Sequence, residues 1–90
     1  MITADEVPDV LKVKVGTYNN GRLHRDNLVA NMAFPPFYLV SFHSHVATMY
    51  PGDIISTGTP GAVVIADGDV AECRIEGLGT LSNPVGRRPA

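Results

Sequence analysis

The sequence has no tryptophan, a single cysteine, and no apolar run near the roughly 20 residues needed to span a bilayer. One cysteine cannot close an internal disulfide, so the fold does not depend on an oxidising compartment. Basic clusters are also missing. The seven Lys and Arg residues are scattered, with only Arg87-Arg88 adjacent, and the net charge is −2. Nucleic acid and anionic membrane, which need a concentrated cationic surface, are therefore excluded as expected partners. The opening Met1-Ile2-Thr3-Ala4-Asp5-Glu6 has neither the basic region nor the apolar stretch of a signal peptide, so the expected location is cytoplasmic. What is present is ordinary globular composition, 44% hydrophobic and 18% charged, which argues against disorder. At 90 residues there is room for one domain at most. A chain of that length buries only about 60–65% of its unfolded surface.

Alternation and turn chemistry predict a β-rich α+β chain of five or six short strands and one helix. Val10 to Val15 alternates, with Leu11, Val13 and Val15 on one face and Lys12 and Lys14 on the other, as in a half-buried strand. Asn20-Gly21 tolerates the positive φ of a tight hairpin turn, and a return strand should start at Arg22. Pro35-Pro36 opens the one predicted helix, since proline in a first turn loses no hydrogen bond. That helix is apolar on more than one side up to Tyr50 and ends before Pro51-Gly52, which places it between layers or against another subunit. Asp53 to Thr57 reads as a central strand, and Gly61 to Ile65 is a further apolar stretch. Asp67-Gly68-Asp69 is a turn. In the strand Val70 to Glu76, Ala71, Cys73 and Ile75 oppose Glu72, Arg74 and Glu76. A last strand covers Thr80 to Ser82.

The polar groups crowd onto one place, the loop Ser56-Thr57-Gly58-Thr59-Pro60-Gly61 at the end of the predicted central strand. Such a loop can leave N–H groups pointing at an anion. Gly58 and Gly61 would allow close backbone approach, and Thr57 and Thr59 can donate or accept. Spacing leaves a plain turn and a ligand loop both open.

The other candidates reduce to structure. His43 and His45 lie two apart on a helix and point in nearly opposite directions, so they cannot share a metal. Asp67-Gly68-Asp69 continues into Val70-Ala71 without the ligand spacing of a calcium loop. Cys73, mid-strand on the apolar face, reads as a small hydrophobe. Glu72, Arg74 and Glu76 suggest a solvent-side ladder of cross-strand ion pairs, each worth only about 0–1 kcal/mol. No residue is assigned as catalytic and none as a metal ligand.

Several stretches, taken together, resemble the C-terminal part of the fumarylacetoacetate hydrolase family. They are Thr3 to Asp9, Asn20-Gly21, Met32-Ala33-Phe34, Pro51-Gly52-Asp53 through Thr57-Gly58-Thr59-Pro60, Gly68-Asp69-Val70, and Ile75-Glu76-Gly77-Leu78-Gly79-Thr80-Leu81-Ser82-Asn83-Pro84-Val85. The resemblance implies a partial domain over residues 1–90, the C-terminal portion of a mixed β-roll that is usually dimeric. It also implies a divalent cation, Mg²⁺ or Mn²⁺, and a small 2-oxo or enol acid of the acylpyruvate or hydroxymuconate type from aromatic catabolism. The chemistry would be hydrolase or isomerase chemistry. Carried over, Gly58 and Thr59 are the substrate-binding residues. The family's metal ligands, two glutamates one residue apart plus an aspartate, lie upstream of the part that matches. The resemblance thus makes the chain inactive alone, its partner being the N-terminal part of the domain or a second subunit, with a homodimer expected. The alternative is an inactive remnant or assembly domain of the same fold. The run Leu28-Val29-Ala30-Asn31 is more apolar than the family's Asn-Thr-Ser-Asp, which weakens any polar capping role there.

Overall fold

The structure is a computed structural model and describes residues 1–89. Its frame is one antiparallel sheet of four strands, β1 (Lys14–Asn19), β2 (Arg22–Leu28), β3 (Val70–Ile75) and β4 (Gly79–Pro84), in the order β2-β1-β3-β4. Two hairpins meet along β1 and β3. Between β2 and β3 the chain makes a long excursion that contains the helix α1 (Pro36–Val46).

The β1–β2 hairpin turns at Asn20 (φ 53) and Gly21 (φ 78), the positive pair that the dipeptide predicts. β2 starts at Arg22 as expected. Thr17 pairs with Arg25 and Tyr18 with Leu23, which leaves His24 as the extra residue of a bulge. The Asn20 turn is tied to the turn before β3. Asp69 accepts from the Asn20 side chain (2.9 Å), the Asn19 side chain (3.3 Å) and the Ala66 N–H (2.8 Å), while Asn20 Oδ1 accepts the Val70 N–H (2.8 Å). These donors hold the Asp69 carboxyl below the ordinary aspartate range, the Asn20 bond first. With its lone pairs so engaged, Asp69 serves the turn.

The sheet has two distinct faces. Val15, Thr17 and Asn19 share one with Ala71, Cys73 and Ile75, as cross-strand partners must. Cys73 is half-buried there, in the predicted position. On the other face the Tyr18 ring covers Gly16, the Arg74 guanidinium lies 3.9 Å from that ring's centre, and Lys14 bonds Asp26 at 3.0 Å. The Asp26 bond raises the Lys14 ammonium above its ordinary value. Arg74 pairs with Glu72 of its own strand at 3.3 Å, so the expected cross-strand ladder is an in-strand pair topped by a cation–π contact.

Among the described residues four strands form, where five or six were expected. Val10 to Lys12 is a 3₁₀ turn because the Asp9 carboxylate takes the Leu11 N–H (3.0 Å) and the Asp9 carbonyl takes the Lys12 N–H (3.1 Å); the strand therefore begins at Lys14. Asp53 to Thr57 and Gly61 to Ile65 run without a ladder, since no other described strand lies beside them. α1 stops at Val46, four residues short of the predicted end. The backbone turns extended at Ala47 (φ −148, ψ 149), and further on the Asp53 carboxylate takes the Tyr50 N–H at 2.8 Å, closing a separate turn with Gly52 at φ 95.

No apolar side chain among the described residues is fully buried. α1 buries no residue, and its aromatic row, Phe34, Tyr38 and Phe42 at ring spacings of 5.1 and 6.1 Å, stays open to solvent. The helix is therefore not wedged between layers of this chain. Among the described residues no helix is long and apolar enough to cross a membrane.

Candidate functional site

The extended stretch after Asp53 folds back over the sheet face that carries Val15 and Thr17. Thr17 and Thr59 hydroxyls meet at 3.3 Å, pinning the loop to β1. Together they border an open cleft of about 500 Å³. Ser56, Thr57, Gly58, Thr59 and Pro60 form one wall and Leu28, Val29, Met32, Phe34 and Leu39 form much of the other. One side offers hydroxyls and backbone; the other offers apolar carbon. Small-molecule sites have this mixture, with few polar groups set in an apolar surround.

Both predicted substrate-binding residues, Gly58 and Thr59, lie in this wall, as does Thr57. Space next to Gly58 is open, for a Cβ built there meets nothing within 4 Å. Gly61 differs. A Cβ there would stand 2.9 Å from Cγ and Cδ of Arg25, so this glycine serves packing against Arg25 rather than approach to a ligand.

Sequence reasoning missed three contributors. Thr17 anchors the loop. Arg25, directly opposite Thr17 in the ladder, lays its stem across Gly61 and makes no ion pair among the described residues. Asn27 holds the cavity's 3₁₀ turn (Val29–Asn31) by accepting the Leu28 N–H at 2.9 Å and the Asn31 Nδ2 at 2.6 Å. That bond set is the polar brace the apolar run Leu28-Val29-Ala30 does not itself supply. A register argument finds Thr17 and Arg25 once the hairpin is fixed; only the path of the loop reveals their neighbour.

The histidines stay outside. His45 Nδ1 contacts the Ser41 carbonyl at 2.6 Å, and His43 packs edge-on to Phe42. Among the described residues no three His, Cys, Asp or Glu side chains gather at a position that would hold a metal. A second cavity, about 350 Å³ on the opposite sheet face, is lined by Lys14, Asp26, Arg74 and Glu76, whose charges offset one another.

A profile of the C-terminal part of fumarylacetoacetate (FAA) hydrolase matches residues 1–86. An uncharacterized protein of Methanocaldococcus jannaschii is 44% identical over 78 residues, covering 86% of this chain and 33% of its own length. The structure of 5-carboxymethyl-2-hydroxymuconate delta-isomerase from Mycobacterium smegmatis superposes with a TM-score of 0.83 at 38% identity, over 91% of this chain and 33% of that one. Maleylpyruvate hydrolase from Sphingobium sp. SYK-6, solved with manganese(II) and pyruvate, superposes with a TM-score of 0.88 at 30% identity, over 96% and 33%. The chain thus spans about a third of the length of the curated relatives it matches.

Proposed function

The chain belongs to the fumarylacetoacetate hydrolase family, and from that premise we propose that it is the C-terminal part of a divalent-metal-dependent hydrolase or isomerase of small 2-oxo acids. Its task is to hold the acid. The observation that carries this reading is the cavity, with Thr57, Gly58 and Thr59 on one wall and apolar side chains on the other. A 2-oxo acid has the matching shape, a planar oxygen-rich end and a carbon tail. The Gly58 backbone and the Thr59 hydroxyl receive the carboxylate or oxo oxygen, and hydrogen bonds to a charged group are worth about 1.5–3 kcal/mol each. Val29, Met32 and Phe34 exclude water from the tail, which strengthens those bonds by lowering the local dielectric.

The residues here do not fit as ligands of Mg²⁺ or Mn²⁺. The cavity wall carries hydroxyls, amides and backbone but no carboxylate or imidazole. The cation, its ligands and the strands that complete a mixed β-roll belong to the rest of the domain. The exposed apolar α1 supports a homodimer in the finished protein.

The test is reconstitution. The chain is co-expressed with the remaining two-thirds of the Sphingobium hydrolase, supplied with Mn²⁺, and assayed with an acylpyruvate and with pyruvate as a competing ligand. Turnover that falls by about tenfold in Thr59→Val, one charged hydrogen bond's worth, is expected. A complex that assembles yet neither turns over nor binds pyruvate overturns the reading in favour of an inactive assembly domain.

A further inference from the structure

We propose that Asn20 is a site of spontaneous, one-way covalent modification. Its side chain closes on the Gly21 nitrogen, sheds ammonia, and is opened by water to an aspartyl or isoaspartyl residue. Asp69 holds that reaction back, and the reaction, once complete, releases the tip of the β1–β2 hairpin from the turn before β3.

The sequence singles out the position. The chain has five asparagines, Asn19, Asn20, Asn27, Asn31 and Asn83, and the residues that follow them are Asn20, Gly21, Leu28, Met32 and Pro84. Ring closure needs a backbone N–H on the next residue, with no side chain standing over it. Proline has no N–H to lose, and glycine alone has no side chain. Asn20-Gly21 is the one pair that meets both conditions.

The nucleophile is free. Asn20 and Gly21 are exposed at the hairpin tip, and a Cβ built on Gly21 meets nothing within 4 Å, so water reaches the bond. Among the described residues the Gly21 N–H donates to no acceptor, whereas the neighbouring Asn20 N–H donates to the Val70 carbonyl at 2.9 Å.

The electrophile is not free. Asn20 Nδ2 donates to Asp69 Oδ1 (2.9 Å), and Asn20 Oδ1 accepts the Val70 N–H (2.8 Å). The carboxamide cannot be turned over, because an ionised carboxylate only accepts and an N–H only donates. Both ends of the amide are therefore held toward the turn before β3. The ring closes only when this latch opens, and an exposed hairpin tip is where local opening is easiest.

The atoms balance with water as the only co-reactant. The Gly21 nitrogen loses its proton and bonds to Asn20 Cγ, the Cγ–Nδ2 bond breaks, and Nδ2 leaves as ammonia. Water then breaks one of the two ring C–N bonds. Breaking the bond to Cγ gives an aspartyl residue, and breaking the bond to the backbone carbonyl carbon gives an isoaspartyl residue. Neither product keeps the donor. In the first, a carboxylate faces Asp69 where Nδ2 had donated, and two like charges that close repel. In the second, the side chain has become backbone. It adds a carbon to a hairpin turn closed by the Asn19–Arg22 pair, and a tight turn has no place for it. The latch cannot re-form in either case.

Peptide mapping by mass spectrometry tests this by following the exchange of amide for acid at each asparagine. The 90-residue chain is incubated at mildly alkaline pH in buffer and in urea, with amide exchange of Val70–Ile75 reporting the fold. In urea Asn20 should convert ahead of the other asparagines. In buffer it should convert about ten- to a hundredfold more slowly, the range spanned by one hydrogen bond to a charged group. The Val70 amide, which must leave Asn20 for the latch to open, should be protected to a similar degree. Asp69→Ala should restore most of the rate seen in urea. Asp69→Asn, which keeps an acceptor without its charge, should fall between the two. Converted protein, separable by its added negative charge, should unfold at lower urea than its parent. Conversion as fast in buffer as in urea overturns the proposal, and so does a Val70 amide that exchanges freely. It is also overturned if another asparagine converts first, if none converts, or if neither Asp69 variant changes the rate. An unchanged urea midpoint after conversion overturns the release of the hairpin.

Discussion

The hydroxyls of Thr17 and Thr59, 42 residues apart in sequence, meet at 3.3 Å. Among the described residues this is the one side-chain hydrogen bond that fixes the 54–65 stretch to the sheet. It also sets the depth of the cavity, because Val15 and the loop line the same space. An exposed neutral hydrogen bond contributes about 0.5–1.5 kcal/mol. Thr17→Val keeps the shape and deletes that contribution, so on the proposed function pyruvate affinity in the assembled protein should fall by roughly two- to tenfold. Thr59→Val removes the same anchor and a ligand contact, and should cost more. Calorimetric titration of the two variants decides the matter. Equal losses would reduce Thr59 to an anchor.

Gly16 and Tyr18 give a prediction about stability. The Tyr18 ring lies so close over Gly16 that an added Cβ would be 2.7 Å from Cε2. Gly16→Ala therefore pushes the ring off its seat and out from under Arg74, and overpacking of this kind costs about 1–3 kcal/mol. In the background of Tyr18→Ala the clash no longer exists. The double variant should then be more stable than the sum of single losses predicts, as urea unfolding of all four proteins would read. Strict additivity would mean the ring does not cover the glycine in solution.

Much of this frame is legible in the sequence because its cues are local. Asn20-Gly21 dictates its own turn, and the alternation of Ala71, Cys73 and Ile75 against Glu72 and Arg74 dictates the faces of β3. Two misreadings are local. Asp9 captures the Leu11 N–H and turns Val10–Lys12 into a 3₁₀ turn, and α1 gives way to extended backbone at Ala47, ahead of the separate Tyr50–Asp53 turn. The missing strands differ in kind. Ile54–Thr57 and Gly61–Ile65 have strand chemistry, but a strand is a property of a pair, and no described strand lies beside them. Of the site, the residue types in the Thr57-Gly58-Thr59 loop were readable. Its neighbours Thr17, Arg25 and Asn27 were not, since they depend on where a long excursion comes to rest.

Asp69 sets the direction of acid sensitivity. Its folded-state titration lies below the ordinary aspartate value of about 3.9. The stabilisation it gives is complete above that ordinary value and is lost as pH falls through the depressed one. Asp5 and Glu6 are lowered in the same sense by Thr3. The unfolding midpoint should therefore drop as pH is taken down through the carboxylate range. Asp69→Asn should start less stable at neutral pH and show a shallower acid decline. A parallel decline in both proteins would show that Asp69 is not the titrating contributor.

Manganese offers the last check, and it separates the parts of the proposed enzyme. The described residues bring no three carboxylate, imidazole or thiolate groups together, and the cavity wall carries none. Hydroxyls and neutral amides alone bind a hard dication too weakly to displace its water shell. Titrated with Mn²⁺, the isolated chain should leave the ion's room-temperature electron paramagnetic resonance spectrum at full free-ion intensity. After addition of the rest of the domain the free-ion signal should fall. Pyruvate added next should alter the bound ion's relaxation of solvent water in the wild type, and less so in Thr59→Val, where the acid is held more loosely. If the isolated chain binds Mn²⁺ stoichiometrically, the ligands lie within these residues after all. The division of labour between loop and metal would then have to be redrawn around Asp53 or Asp67, the carboxylates flanking the 54–65 stretch.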